Sequence, residues 1–236
     1  MIKKELLSFI GNEDLYKHVE TVLVVAKVAK ENLEKNLSSN VIDPFSALFD
    51  VSCQGISFSD WMKQEKSRQI QKTLQNAIGN FHQSIIGSMH GWTNLNIGEV
   101  ADVVNTEKKI IAEIKNKYNT TKGNHKIKIY DDLKSLVGGE YKGYISYYVE
   151  VIPKGKKIYN TTFIPSDNKK HKRKIAHRNI RVIDGKSFYA LAAGYPEALR
   201  DLYMVLPRVI ADIQGESSHH DISEQSELQR LFDMAF

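Results

Sequence analysis

The period of the hydrophobic positions changes several times along the chain, and the changes mark its elements. From Asn12 to Asn36, Leu15, Val19, Val22, Leu23, Ala26 and Val28 recur at helical spacing, with Glu20, Lys27, Lys30, Glu31 and Glu34 mostly elsewhere. Asn12 can cap that helix. Asp43-Pro44 suits the entry of a short helix through Leu48, with proline at the first helical position. A long third helix runs from Ser57 to about Ile86. Trp61, Ile70, Leu74, Ala77, Ile78, Phe81, Ile85 and Ile86 form its apolar face, and Arg68, Gln71, Lys72, Gln75, Asn76 and His82 its polar one. Ser57 to Asp60 reads as a capping box with Asp in place of Glu, and Gly87 as a C-terminal cap.

The pattern then shortens. Trp92 to Asn96 is a weak strand. Val100, Val103 and Val104 form one β-branched run, and Ile110, Ile111 and Ile114 another. Asn105-Thr106-Glu107-Lys108 between them is turn-like, so Gly98 to Lys117 reads as a β-hairpin. Asn119 to Gly123 is a polar loop. Tyr130 to Val137 is a short helix with Asp131 and Asp132 in its first turn and Gly138-Gly139 behind it, and Tyr144 to Val151 is a strand. That helix can serve as a crossover returning the chain parallel to the second hairpin strand. Short strands follow at Ile158 to Ile164 and Ile175 to Ile183, then a turn at Asp184-Gly185 and helices at Ser187 to Ala193 and Pro196 to Ala211. Pro207 should kink the second of these or end it early. Ile222 to Met234 is a terminal helix. The fold expected is α/β, a mixed central sheet flanked by helices. An N-terminal helical layer occupies 1–56, a core 57–212 with a recognition region at about 154–184, and a tail and helix 213–236, all in one domain.

Composition narrows this picture. The 236 residues are 42% hydrophobic, enough for a sizeable core. No apolar run is long enough to span a bilayer, and the N-terminus, MIKKELLSFIGNEDL, does not read as a signal peptide. The single cysteine, Cys53, excludes an internal disulfide and fits the reducing cytoplasm. The net charge of +5 is mild, but it is uneven. Between Lys154 and Arg181 the only acid is Asp167, among Lys154, Lys156, Lys157 and the run Lys169 to Arg181. A local basic block points to a polyanion partner.

The hairpin carries the chemistry. If Asn105 opposes Lys108, Asp102 lies opposite Ile111, and Asp102, Glu113 and Lys115 project from one face while Ile110, Ala112 and Ile114 point to the other. Two carboxylates and an ammonium on an otherwise apolar hairpin are costly to bury and easy to explain at a metal site. Mg²⁺ takes oxygen ligands, which Asp102, Glu113 and the Ile114 carbonyl can supply. Lys115 can position a water, stabilise charge, or act as a base if its pKa is lowered. These are the parts that phosphodiester hydrolysis needs.

Asp102, ten intervening residues, then Glu113-Ile114-Lys115 resembles the PD-(D/E)XK nuclease signature. Its leading proline is Ala101 here, a substitution common in that superfamily. The order helix, three strands, helix, strand also matches the superfamily core. Longer segments, IGNFHQSIIGSMHGW (Ile78 to Trp92), VVN (Val103 to Asn105), AEIKNKYNTTKG (Ala112 to Gly123) and GKSFYALAAGYPEALRDLYMVLP (Gly185 to Pro207), resemble the type II restriction endonucleases that cut GGNCC-type sites. The resemblance implies Mg²⁺-dependent cleavage of double-stranded DNA at a short pseudo-palindrome leaving 5′-phosphates. It also implies a homodimer and a companion DNA methyltransferase. The N-terminal helices carry no such resemblance.

Base reading must come from outside the hairpin, because Arg or Lys reads guanine in the major groove and Asn or Gln reads adenine. Lys169, Lys170, Arg173, Lys174, His177, Arg178, Asn179 and Arg181 are the candidates. If Ile175 to Arg181 is a strand, His177, Asn179 and Arg181 share one face. Arg173, Arg178 and Arg181 suit guanine, and Lys117 and Lys122 suit phosphates. His219-His220-Asp221 reads as an exposed linker rather than a metal site. The competing readings are a structure-selective or repair nuclease of the same superfamily, and a DNA-binding protein on the same fold without catalysis.

Overall fold

The structure is a computed structural model, and it describes residues 4–32, 42–95, 100–167, 172–215 and 222–236. The chain divides into two compact units, Glu20–Asn80 and the pair of segments Met1–Val19, Phe81–Phe236. Helices α1 (Asn12–Glu31) and α3 (Phe58–Gly87) contribute residues to both.

The Glu20–Asn80 unit is helical. Asp43 caps α2 (Pro44–Gln54), accepting from the amides of Phe45 and Ser46, and Gly55 closes it in the left-handed conformation at φ 64°. The helix therefore continues well past Leu48. Ser57 Oγ accepts from the Asp60 amide at 3.1 Å, the first bond of a capping box, but the Asp60 carboxylate takes the Ser57 hydroxyl at 2.8 Å in place of the Ser57 amide. Trp61 Nε1 donates to Asp50 Oδ2 at 3.0 Å.

The larger unit is built on a six-stranded mixed sheet. Its strands are β1 (Thr93–Asn94), β2 (Val103–Asn105), β3 (Ile110–Lys117), β4 (Ile145–Ile152), β5 (Asn160–Thr162) and β8 (Ile180–Asp184), in the order β1-β2-β3-β4-β8-β5. The hairpin β2–β3 is antiparallel, and β4 returns parallel to β3 through the crossover helix α4 (Gly123–Gly138). A separate two-stranded ribbon pairs β6 (Ser166–Asp167) with β7 (Lys172–Arg173). Helices α5 (Gly185–Ala193), α6 (Ala198–Gln214) and α7 (Ile222–Ala235) complete the chain. Among the described residues no helix is long and apolar enough to cross a membrane.

Each sheet face has its own cover. Ile111, Tyr148 and Ile180 pack with Ile129, Tyr130, Leu133 and Val137 of α4. On the opposite face Phe188 of α5 sits edge-on to Trp92 and against Tyr147, with ring centroids 5.6 and 5.8 Å away. Gly185 is required where β8 becomes α5. A Cβ there would lie 2.2 Å from the Val151 carbonyl oxygen.

Several elements differ from the sequence expectation. The hairpin turn holds four residues, not two: Asn105 Oδ1 accepts the Lys108 amide at 2.8 Å, Lys109 takes φ 53°, and Asn105 pairs with Ile110. Helix α4 begins at Gly123 rather than Tyr130, because burial of its later apolar face carries the polar first turns along. Ile175 to Asn179 is not strand, and β8 starts at Ile180. Pro207 lies inside an uninterrupted α6, where burial of Leu202, Val209 and Ala211 outweighs the missing backbone bond.

Candidate active site

The four-residue turn shifts the hairpin register by two residues. A shift of two keeps every side chain on its face, whereas a shift of one would invert them all. Val103 pairs with Ala112, and Asp102, just before β2, donates its amide to that same Ala112 carbonyl instead of continuing the ladder. Its side chain still meets the Glu113 carboxyl group, and Lys115 follows Glu113 on the same face of β3. Lys115 Nζ lies 2.6 Å from Glu113 Oε1.

Asp102 does more than present a charge. It stands at the entry to β2, its amide donates to the Ala112 carbonyl at 2.9 Å, and its Oδ2 accepts the Ile114 amide at 2.6 Å. The side chain thereby fills the ladder position that β2 would occupy if it were longer. The Ile114 carbonyl points to the same side of β3 as its amide, past the end of β2. Gln83 Nε2 of α3 reaches it at 3.5 Å.

Burial raises the pKa of Asp102, partly offset by the Ile114 amide and the Lys115 charge. Burial raises Glu113 further, to about 7, with repulsion from Asp102 as the next cause. Two acids held where ionisation is unfavourable, beside a backbone carbonyl, form a donor set that suits a hard divalent cation. Among the described residues no cluster of three or more His, Cys, Asp or Glu side chains is placed to hold a metal. A cation here would therefore rest on two carboxylates, a carbonyl, water and substrate oxygens.

The next strand adds groups that the sequence pattern did not single out. In the parallel register Glu113 neighbours Tyr148 and Lys115 neighbours Glu150. Tyr148 Oη is buried, and burial raises its pKa, partly offset by the Thr121 side chain. Glu150, 7% exposed, is contacted by Lys126 Nζ and Tyr159 Oη, each at 2.5 Å. The signal for Glu150 was present in the sequence, since it is a carboxylate within the apolar strand Tyr147-Tyr148-Val149-Glu150-Val151, as Glu113 is in its own. Asp184, also buried, serves the architecture. It accepts the amides of Tyr159 at 2.8 Å and Ser187 at 2.9 Å, joining β8 to α5.

The basic candidates are spread over several settings. Lys117 is half-buried at the end of β3, and Lys122 is exposed just before α4. Arg173 lies exposed on the ribbon, and Arg178 in the turn before β8. Lys174 Nζ is held 2.7 Å from both oxygens of Asp131, and Asn179 Nδ2 donates to the Tyr144 carbonyl at 3.1 Å. Arg181 donates to the Asn160 side chain at 2.6 Å and, as the neighbour of Tyr147, lies on the sheet face opposite Glu113. His177, Asn179 and Arg181 do not share a strand face, because only Arg181 is in a strand. Lys169 and Lys170 lie outside the described residues, as do His219, His220 and Asp221. Of the polar face of α3, His82 turns inward with Nδ1 2.8 Å from Tyr189 Oη, and burial lowers its pKa to about 4. It is neutral and structural.

A family model described as Eco47II restriction endonuclease matches residues 7–214. The chain is 44% identical to the type II restriction enzyme Eco47II of Escherichia coli over 214 residues, 89% of each chain. It is 31% identical to the type II restriction enzyme Sau96I of Staphylococcus aureus over 210 residues, 87% of this chain and 80% of that one. No solved structure matches.

Proposed function

Since this chain belongs to the Eco47II restriction endonuclease family and is a type II site-specific deoxyribonuclease, we propose that it cuts double-stranded DNA with Asp102, Glu113 and Lys115. The observation that carries this reading is the meeting of the Asp102 and Glu113 side chains, with Lys115 Nζ 2.6 Å from Glu113. The surrounding mixed sheet and crossover helix support a PD-(D/E)XK core. The resemblance of the longer segments supports a GGNCC-like site, and a companion methyltransferase would protect that site in the host cytoplasm.

Asp102, Glu113 and the Ile114 carbonyl would hold Mg²⁺. When bound, the ion supplies a lower pKa for the attacking water and neutralises charge on the scissile phosphate. Asp102 keeps its place through the Ile114 amide, so the carboxylates are set before substrate arrives. Lys115, 31% exposed, is free to swing from Glu113 to a water or a phosphate oxygen and to steady the charge that develops there. Lys117 and Lys122 would hold the backbone nearby. Arg173 and Arg178, with the rest of the basic segment, would read bases. One site per chain and two antiparallel strands to cut favour a homodimer whose two-fold axis coincides with that of the DNA.

Asp102→Ala and Glu113→Ala should bind site-bearing duplex in Ca²⁺ but leave it uncut in Mg²⁺, as read by gel shift and plasmid digestion. Strong cleavage by Asp102→Ala protein would overturn the assignment.

A further inference from the structure

Glu150 links the two halves of the reaction. It occupies the strand position beside Lys115, it is 7% exposed, and both carboxylate oxygens are engaged. Oε1 takes Lys126 from the first turns of α4. The Lys126 ammonium also lies 5.3 Å from the ring centroid of Tyr148, the strand neighbour of Glu113. Oε2 accepts from Tyr159, where the basic segment joins the sheet. The next residue, Asn160, accepts from the Arg181 guanidinium with both its side-chain and main-chain oxygens. Charge-assisted bonds, joined by the Tyr159–Asn160 chain step and a cation–ring contact, therefore lead from the recognition segment, through Glu150 and Lys126, to the ring beside Glu113.

A buried carboxylate at this position is expensive unless fully partnered. Asp184 shows what a purely structural acid looks like in the same sheet, with both its hydrogen-bond partners backbone amides at a strand–helix junction. Glu150 instead joins two side chains from different elements, neither of which it needs for its own strand.

We propose that Glu150 is a positioning residue of this nuclease. Through Lys126 and Tyr159 it ties the recognition segment to the catalytic strands, so its loss slows cleavage more than it weakens DNA binding. The inference rests on Asp102, Glu113 and Lys115 being the catalytic set.

The test uses the full chain and a duplex that the wild-type protein cuts. Glu150→Gln, Tyr159→Phe and Lys126→Met are compared in single-turnover cleavage with saturating protein in Mg²⁺, and in equilibrium binding in Ca²⁺. Each should cut at least about tenfold more slowly, as a small misplacement of reacting groups does. The Ca²⁺ affinity should stay within about threefold of wild type, a split that a general loss of fold would not produce. Lys126→Arg, which keeps the ion pair, should retain more rate than Lys126→Met. Wild-type rates in all three variants, or rate losses matched by equal losses of affinity, would overturn the proposal. If Glu150→Gln does not fold, Tyr159→Phe, which removes one hydroxyl, decides the question. Active Asp102→Ala protein in the same assay would fail the catalytic set itself. Active Glu150→Gln beside inactive Asp102→Ala would fail only this inference.

Discussion

Replacing Glu113 by Gln should stabilise the metal-free protein at pH 8 while abolishing cleavage. In the metal-free fold burial and the Asp102 charge raise the Glu113 pKa from 4.5 to about 7. An acid whose pKa is raised by folding contributes stability that is fully present below its unfolded value. That contribution is lost as pH rises through its folded value. The penalty therefore grows between about pH 4.5 and pH 7 and is complete above that. At about 1.4 kcal/mol per pH unit it amounts to at most about 3 kcal/mol. Gln stays neutral and removes it. The substitution also leaves Lys115 without its partner at 2.6 Å, but Lys115 is 31% exposed and can turn to water. A net gain of about 1–2 kcal/mol remains, or about 2–8 °C in Tm for a chain of this size. Thermal and urea melts in EDTA at pH 5 and pH 8 measure it. The gain should be much smaller at pH 5, where Glu113 is mostly protonated in the folded state and only about a quarter of the penalty has developed. Added Mg²⁺ should raise the Tm of wild type more than that of the variant. Equal stability at pH 8, or an equal deficit at both pH values, would refute the claim that Glu113 is held against repulsion.

Other outcomes follow from the same geometry. Protein stripped of metal should not cut, Mg²⁺ or Mn²⁺ should restore cutting, and Ca²⁺ should support binding without turnover, as plasmid digestion reads directly. Arg173→Ala or Arg178→Ala should lose about 1–3 kcal/mol of discrimination against a one-base change if that side chain reads guanine. Lys117→Ala or Lys122→Ala should instead weaken all duplexes alike and flatten the salt dependence, which titration of binding at several ionic strengths separates. Wild-type protein mixed with excess Glu113→Ala under subunit exchange should yield heterodimers that nick one strand. Only full double-strand cuts at reduced rate, with a monomer on DNA in sedimentation, would refute the dimer.

What the sequence made legible follows from how local each signal is. The hairpin announced itself because β-branched runs bracket Asn105 to Lys108, and Glu113 and Lys115 kept their common face under a wrong register because the error was two residues. The turn length itself was hidden, since nothing in Thr106 to Lys109 marks Lys109 as the residue at positive φ. The parallel return of β4 followed from connection length. The start of α4 did not, because Gly123 to Lys128 has no helical signal of its own and is held by packing further along. The basic segment was read as a longer strand than it forms, because Ile175 to Ile183 carries enough β-branched residues to suggest one. Arg181 could not be separated from Arg173 and Arg178 by type alone. Its pairing with Asn160 is a tertiary fact. Glu150 was visible as a carboxylate in an apolar strand, but its partners come from 24 residues before and 9 after it.

Both margins of the six-stranded sheet are short: β1 has two residues and β5 has three. An outer strand exposes unpaired amides and carbonyls that a second chain can zip onto, and these margins offer almost none. Of the longer inner strands β4 is paired on both sides, and β3 is paired with β2 over Ile110 to Ala112, beyond which the Asp102 side chain takes the Ile114 amide. Such a chain can therefore accumulate with little tendency to coalesce through those margins. The same shortness constrains assembly. Two copies joined margin to margin would share only a few backbone bonds, so the contact surface of the proposed pair is to be sought on helices and loops.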